Sequence, residues 1–344
     1  MALPMITALR KRDPNARIAW VCGETAAPIM ALMGDVEVIA VDDTKLFHGS
    51  PAERIAEMAK AWVKLAGRRF DLILTAYADP RYRLLTLTAR GKERRKTNRG
   101  KGRWWAIAGR YQADEYVRLV TGVDGPEAER AELPVIRPPL SENLRCLIHG
   151  TANGLVAVSP GGAKNTSVDS PLRRWPLESY RLLSEELLRG GFRVAITGAH
   201  SDAWVRPNFE GLPVIDLVGK TSLVELLALY GACAAVVAHD SGPLHIAILA
   251  DAPTVALFGP TIPSHFVPTR PWVKVLWGGE ALPCRPCFDG KLYAPCMQNV
   301  CLQQISVDMV MDAFNELIGI RKLRSTPSPI RPVSIKRRHG PARS

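Results

Sequence analysis

At 344 residues, 47% of them hydrophobic and 23% charged, the chain has the composition of a packed globular protein. Its length is that of two domains of about 150 residues each, either able to bury a core. No run reaches the roughly 18 apolar residues of a membrane span, because Asp240, His245 and Asp251 interrupt the most hydrophobic region. Much of the net charge of +12 sits at the end, where eight Lys and Arg and no Asp or Glu follow from Arg321 onward.

The opening MALPMITALRKRD puts its positive charges after a short apolar run, the reverse of a secretory signal, and predicts a cytoplasmic protein. In the first half Ala16 to Cys22, Val36 to Val41 and Phe70 to Tyr77 read as strands with helices between them. Within Pro51 to Ala66 the residues Ile55, Ala59, Trp62 and Val63 recur at helical spacing and predict a stripe lying on the sheet. From Arg90 to Arg110 runs a basic cluster that includes Arg94, Arg95 and Lys96, with Trp104 and Trp105 beside it. It suits an anionic partner, whether nucleic acid, an anionic lipid head group or a phosphorylated glycolipid; a solvated loop is the alternative.

Pro134 to Asn153 joins the halves, and the second is more regular: Leu155 to Ser159, Phe192 to Thr197, Val214 to Val218, Ala234 to Ala238 and Thr254 to Phe258 read as buried strands. Leu223, Leu226, Leu227 and Tyr230 mark a helix covering one sheet face. The alternation is βαβ, and two Rossmann-like domains facing across a cleft are predicted, with ligands at the carboxyl ends of the strands. A helix from Ser306 to Ile318 closes the folded part, and a Pro-rich basic tail over 320–344 is expected to be disordered.

The most informative run is HDSGPLHIA from His239, where an apolar strand ends at Asp240 and a helix begins. Ser241 can cap, Gly242 lets a ligand approach, and Pro243 suits the first turn. The bare N–H groups and positive dipole end make a phosphate site, with His245 near enough to donate to it. A buried core histidine and a simple aspartate cap are the bland alternatives. A second loop, SPGGAKN from Ser159, leads to Arg173-Arg174-Trp175-Pro176 and a helix with Glu178 and Tyr180. An arginine from this loop can clamp a diphosphate, although a plain surface turn also explains the glycines. Gly219-Lys220-Thr221 imitates a Walker A ending, but the residue five before that glycine is Val214, so a kinase or ATPase reading loses its support. Cys284, Cys287, Cys296 and Cys301 form C-x2-C-x8-C-x4-C, near a zinc-ribbon spacing; structural zinc and reduced, uncoordinated thiols both fit it.

The PGG loop with Arg-Arg-Trp-Pro, GAHSD at Gly198 to Asp202, VGKTSL at Val218 to Leu223 and HDSGPLHIAILADAPTVALFGPT from His239 together resemble glycosyltransferase family 9, the ADP-heptose:lipopolysaccharide heptosyltransferases. The resemblance spans Ser159 to about Cys301; the first half matches in outline. It implies a GT-B fold: an acceptor-side domain over 1–145, a donor-binding domain over 146–319, then the tail. It implies that Asp240, Ser241, Gly242 and His245 hold the donor diphosphate and sugar, that Arg173 binds phosphate, that Gly161 and Gly162 line the pocket, and that Asp202 and Thr221 lie near the nucleoside. Arg94, Arg95 and Lys96 would meet an anionic glycolipid acceptor at the inner face of the cytoplasmic membrane. A monomer is expected, with no nucleic-acid partner and no cofactor beyond the ADP-sugar donor. Two positions depart from the family pattern. His239 stands where Asn is usual, and the chain enters at what looks like the family's first helix, without the preceding strand and its Gly-Asp pair. The catalytic base is therefore expected upstream of Met1. The function implied is inverting, metal-independent heptose transfer; a catalytically silent nucleotide-sugar-binding protein, or a transferase using another nucleotide sugar, are the alternatives.

Overall fold

The computed structural model describes residues 1–97, 109–123, 129–148, 153–164, 169–288 and 293–325, without the side chains of 321–325. The N-terminal part alternates short helices with parallel strands. Helix α1 (Pro4–Arg12) leads into β1 (Ile18–Gly23), α2 (Ala27–Ala31) into β2 (Val36–Val41), α3 (Asp43–His48) and α4 (Pro51–Leu65) into β3 (Arg69–Thr75), and α5 (Pro80–Leu84) into β4 (Arg90–Lys96). Helices α6 (Gln112–Thr121) and α7 (Glu142–Ile148) follow. The four strands form two separate parallel pairs, β1 with β2 and β3 with β4.

Helix α4 starts where its sequence says it should. Ser50 accepts from the Glu53 amide while the Glu53 carboxylate takes the Ser50 N–H at 2.8 Å, a reciprocal cap. Its buried face differs from the expected one. Glu57, Ala61 and Leu65 point inward, whereas Ile55 and Val63 are 57% and 78% exposed. The Glu57 carboxylate turns the helix, because it accepts the Asp42 amide at 3.0 Å and pairs with Lys60 at 2.7 Å. Small Ala61 then lets the helix sit close, and Trp62 is left to bond the Leu84 carbonyl.

The C-terminal part is one six-stranded parallel sheet. Its members are β5 (Leu155–Ser159), then after α8 (Leu177–Arg189) β6 (Arg193–Ile196) and β7 (Ile215–Asp216), then after α9 (Leu223–Ala232) β8 (Ala235–His239), after α10 (Gly242–Leu249) β9 (Thr254–Phe258), and after α11 (Pro263–Phe266) β10 (Val273–Trp277). Helices α12 (Val300–Gln303) and α13 (Val307–Ser325) close it. The order is β10-β9-β8-β5-β6-β7, and every neighbouring pair is parallel. Strands β5, β8 and β9 are buried throughout, as their unbroken apolar runs require of a sheet covered on both faces. On one face Tyr180, Leu183 and Leu187 of α8 and Phe314 and Leu317 of α13 meet Val156, Val158 and Val237; on the other Leu227 and Tyr230 of α9 meet Leu155, Ala157 and Val236. Leu3, just ahead of α1, and Ile6 within it belong to that second core, so the N-terminal helix is packed against the C-terminal part. Helix α13 runs to Ser325, so residues 320–325, expected in the tail, are helical instead; 326–344 lie outside the described residues.

The ring of Phe314 is fully buried and stands edge-on to Phe192 at 5.0 Å. Phe314→Ala should therefore cost about 3–5 kcal/mol in urea unfolding, and Val63→Ala, on the exposed face of α4, within about 0.5 kcal/mol. Equal losses would contradict this packing.

Candidate functional site

The chain builds β5, β6 and β7 outward in one direction and then crosses to place β8 on the other side of β5. Loops that leave β5 and β8 therefore part in opposite directions and open a crevice between them, the switch point at which such sheets bind ligands. Both glycine-containing motifs fall there: Ser159 to Gly162 after β5, and Asp240 to Gly242 after β8.

The loop after β5 is held by neighbours on every side. Gly162 has φ +82°, and a Cβ there would come within 3.3 Å of the Ser241 side chain, so the two loops touch. A Cβ on Gly161 would meet Asp202 at 2.5 Å, contact that only glycine avoids. Asp202 is buried; it accepts from the Gly162 amide at 2.9 Å and the Ala199 amide at 2.8 Å, so its carboxylate ties the two loops to each other. Arg174 holds the same loop from the other side. It donates to the Gly162 carbonyl at 2.9 Å, pairs with Asp169 at 2.5 Å and lies over the Trp204 ring at 5.1 Å. Trp175 is buried beneath, its indole N–H donating to the Ile305 carbonyl at 2.9 Å.

Arg173 is thereby left to face the crevice. Its guanidinium stands 3.5 Å from the Asp240 carboxylate, and its Nε is buried with no hydrogen-bond partner among the described residues. Asp240 is 2% exposed, and its carboxylate also accepts from the Thr261 hydroxyl at 2.8 Å. Burial pushes its carboxyl above the usual range, and Arg173 and Thr261 draw it partly back. Sequence reasoning missed Thr261, although it stands in the run that carries the family resemblance.

Helix α10 begins at Gly242 with Pro243 in its first turn and no side chain capping it. The hydroxyl of Ser241 turns away and donates to the His239 carbonyl at 3.0 Å, so the expected Ser241 cap is not formed. Nothing lies within 4 Å of where a Gly242 Cβ would be. The first amides of the helix are bare and open, the arrangement that attracts an anion. His245, on the first turn, has its pKa pushed down to about 3 by burial, with the Met1 ammonium and the Arg173 guanidinium adding. It is a neutral ring that can still donate one N–H. His239 is fully buried and bonds the Tyr180 hydroxyl through Nδ1 at 3.0 Å; burial, helped by Arg173 and Arg174, pushes it down to about 3 as well. Thr221 is half-buried just ahead of α9, beside Ser222 and Glu225, which cap each other.

The basic cluster divides. Arg95 is buried, paired with Glu93 at 2.7 Å and bonded to the Leu119 and Val120 carbonyls at the end of α6, so it holds the fold and is not available to an acceptor. Arg94 and Lys96 are exposed on β4, while Arg99 to Trp105 lie outside the described residues. Among the described residues no three His, Cys, Asp or Glu side chains are grouped closely enough to hold a metal ion; Cys284 and Cys296 stand exposed, and Cys287 and Cys301 are half-buried. Among those residues, too, no helix is long and apolar enough to cross a membrane.

Residues 152–297 match glycosyltransferase family 9 (heptosyltransferase). Lipooligosaccharide heptosyltransferase 2 of Haemophilus influenzae is 30% identical over 214 residues, 56% of this chain and 58% of the relative, so the matched stretch spans little more than half of that protein. A glycosyltransferase family 9 structure from Veillonella parvula covers 93% of both chains with a TM-score of 0.71 at 21% identity. An Escherichia coli heptosyltransferase solved with ADP-2-deoxy-2-fluoro heptose covers 92% of this chain and 94% of its own, with a TM-score of 0.64 at 17% identity. The fold is thus GT-B, and residues 152–297 are similar to glycosyltransferase family 9 (heptosyltransferase).

The fully buried His239 imidazole and the half-buried His245 imidazole give the stability a definite pH dependence. Both are neutral when folded and take up a proton in the unfolded chain below pH about 6.5, so stability falls as pH drops from there toward about 3. The fully buried His239 costs about 1.4 kcal/mol per pH unit, and the half-buried His245 less. His239→Asn should reduce the loss between pH 7 and pH 5 by about 2 kcal/mol in urea unfolding. An unchanged acid dependence would show that His239 is not held neutral.

Proposed function

We propose that the protein is an inverting glycosyltransferase that moves heptose from ADP-heptose to a lipopolysaccharide core or lipid A acceptor, working peripherally at the inner face of the cytoplasmic membrane. The observation that carries the reading is the junction of β8 and α10, where bare helix amides, the Arg173 guanidinium and a buried carboxylate share one crevice. The structural relative solved with an ADP-heptose analogue supports the donor class.

In this reading the diphosphate rests on the amides from Gly242 onward, and the unpartnered Nε of Arg173 donates to it. Asp240, an acceptor when ionised, takes sugar hydroxyls, and His245 donates its one N–H to a phosphate oxygen. As the glycosidic bond breaks, negative charge grows on the departing ADP. The helix end and Arg173 meet it already oriented, which stabilises the transition state without need of a metal ion. Gly161 and Gly162 keep the wall low enough for close approach, Thr221 lies toward the nucleoside, and Asp202 acts by fixing the loop. The acceptor hydroxyl must lose a proton on the opposite face as it attacks. Exposed Arg94 and Lys96 face the anionic acceptor.

The interrupted N-terminal sheet favours a second reading, a nucleotide-sugar-binding protein without turnover. Incubation with ADP-heptose and acceptor separates the two, since binding without ADP release supports the silent form. In either case Arg173→Ala should weaken ADP binding about 10- to 100-fold by calorimetry, the worth of one charge-assisted hydrogen bond. Arg173→Lys should restore only part, because the ammonium lacks the planar fork. Unchanged affinity in the alanine variant would remove Arg173 from the donor site.

A further inference from the structure

The stretch between β10 and α12 is pinned to the donor crevice at two points. The Cys287 and Phe288 amides both donate to the Pro260 carbonyl, at 3.1 and 3.2 Å, next to the Thr261 that bonds Asp240. The Asn299 side-chain amide donates to the Arg174 carbonyl at 2.8 Å, next to Arg173. Between these points Phe288 and Tyr293 meet in an antiparallel bridge with their rings 4.8 Å apart, and the Ala294 amide donates to the Cys287 carbonyl at 2.9 Å. The half-buried Tyr293 is thereby carried to the edge of the crevice, where its hydroxyl bonds the Ser170 side chain. Burial pushes its phenol up, and the nearby Arg173 guanidinium draws it partly back. The hydroxyl stays protonated and can both donate and accept.

Tyr293 also lines a pocket of 640 Å³, a volume within the range of small-molecule sites, about 300–1,000 Å³. One wall is Asp169 to Leu172, which leads into Arg173; the other is Tyr293 with Cys296 to Asn299 and Gln303. Asp169 is the one charged residue in these walls among the described residues, and it is already paired with Arg174 at 2.5 Å, so the pocket holds nothing to balance an ion. What remains is neutral and hydrogen-bonding. The hydroxyls of Ser170 and Tyr293 and the amides of Gln298, Asn299 and Gln303 can each donate and accept. Pro171 and Leu172 add apolar surface, as does Met297, which stands 97% exposed. Several of the polar side chains are fixed before any ligand arrives: Asn299 by the Arg174 carbonyl, Gln303 by the Gln298 carbonyl and Ser170 by Tyr293. Such preorganisation lowers the cost of binding.

We propose that this pocket, walled by Ser170, Leu172, Tyr293, Gln298, Asn299 and Gln303, binds an uncharged sugar ring as a subsite beside the diphosphate crevice. A sugar presents hydroxyls that donate and accept around its edge and C–H groups on its faces, and the walls supply a partner for each. A phosphate or carboxylate would meet Asp169 and no unpaired cation there. An apolar ligand would cover the hydroxyls and amides without bonding them, which costs free energy. The place of the pocket gives it a use. The Ser170 carbonyl accepts the Arg173 amide at 3.0 Å, so the wall that holds the ring and the guanidinium aimed at the crevice belong to one short turn. The ring comes from the donor sugar or from the acceptor glycan, which share this chemistry. The chemistry of the walls is independent of what the crevice binds.

Calorimetry on the full chain tests this with three probes: ADP, ADP-heptose and a lipid-free lipopolysaccharide core oligosaccharide. Tyr293→Phe removes one hydroxyl and keeps the ring, and Gln298→Trp, at an exposed position, fills the mouth of the pocket without touching the core. Both variants should bind ADP within about twofold of the unaltered chain, which also reports that the Arg173 turn is intact. At least one sugar-bearing probe should weaken, roughly three- to tenfold in Tyr293→Phe, the worth of one neutral hydrogen bond, and more in Gln298→Trp. Weakening of the oligosaccharide alone assigns the ring to the acceptor; weakening of ADP-heptose alone assigns it to the donor sugar. Unchanged affinity for both sugar-bearing probes in both variants would overturn the proposal. So would an equal loss for all three probes, since Tyr293 would then act only through Arg173. An unaltered chain that binds no ADP, yet holds the oligosaccharide through Tyr293, would sink the donor reading and leave the subsite standing.

Discussion

A carboxyl group buried at the end of a parallel strand persists only where positive charge and hydrogen-bond donors meet it. Asp240 is that group here, and the arrangement around it depends on the way Arg173 and Thr261 reach it. The guanidinium comes from a 3-10 turn, Pro171–Arg173, and is aimed by its neighbours more than by itself. Arg174 fixes the Gly162 carbonyl, Trp175 anchors the turn in the core, and Asp202 fixes the Gly162 amide. A crevice with a bare helix end, one cation and one buried carboxylate is the consequence. Its chemistry is that of a site able to receive an anion, which is what the proposed donor diphosphate requires.

Much of this was legible because parallel strands covered on both faces leave an unmistakable trace. Leu155–Ser159, Thr254–Phe258 and Val36–Val41 are unbroken or nearly unbroken apolar runs, and they form strands with the expected bounds. The turn chemistry of HDSGPLH placed a helix start at Gly242 because proline in the first turn and an acidic strand end leave few other conformations. Other elements carry no such signal. Strand β4, Arg-Gly-Lys-Glu-Arg-Arg-Lys, has no apolar alternation; its edge position lets charged side chains stand in solvent. Strand β10, Val-Lys-Val-Leu-Trp at the edge of the C-terminal sheet, is half-buried and is not among the expected strands.

Side-chain roles were harder to read than elements. Composition marks Arg94, Arg95 and Lys96 as one basic cluster, yet the alternation of a strand sends Arg95 inward to cap α6 and its neighbours outward. Ser241 has the residue type of a cap but bonds the carbonyl behind it. The buried face of α4 departs from its apolar spacing because a polar residue, Glu57, is turned to the interior. His239, in the place where the family resemblance expects Asn, is accommodated by the Tyr180 hydroxyl, a contact between residues far apart in sequence that no local pattern announces.

The same crevice lies beside the packing of α1 on α9 and α10, so the N-terminal layer and the donor crevice share one core. The most direct measurement of the central claim is a crystal of this chain soaked with ADP-sugar. The expected density places the diphosphate on the amides from Gly242 onward, within hydrogen-bond reach of Arg173 Nε and beside Asp240. A nucleotide lodged elsewhere, with the end of α10 closed by protein, would contradict it.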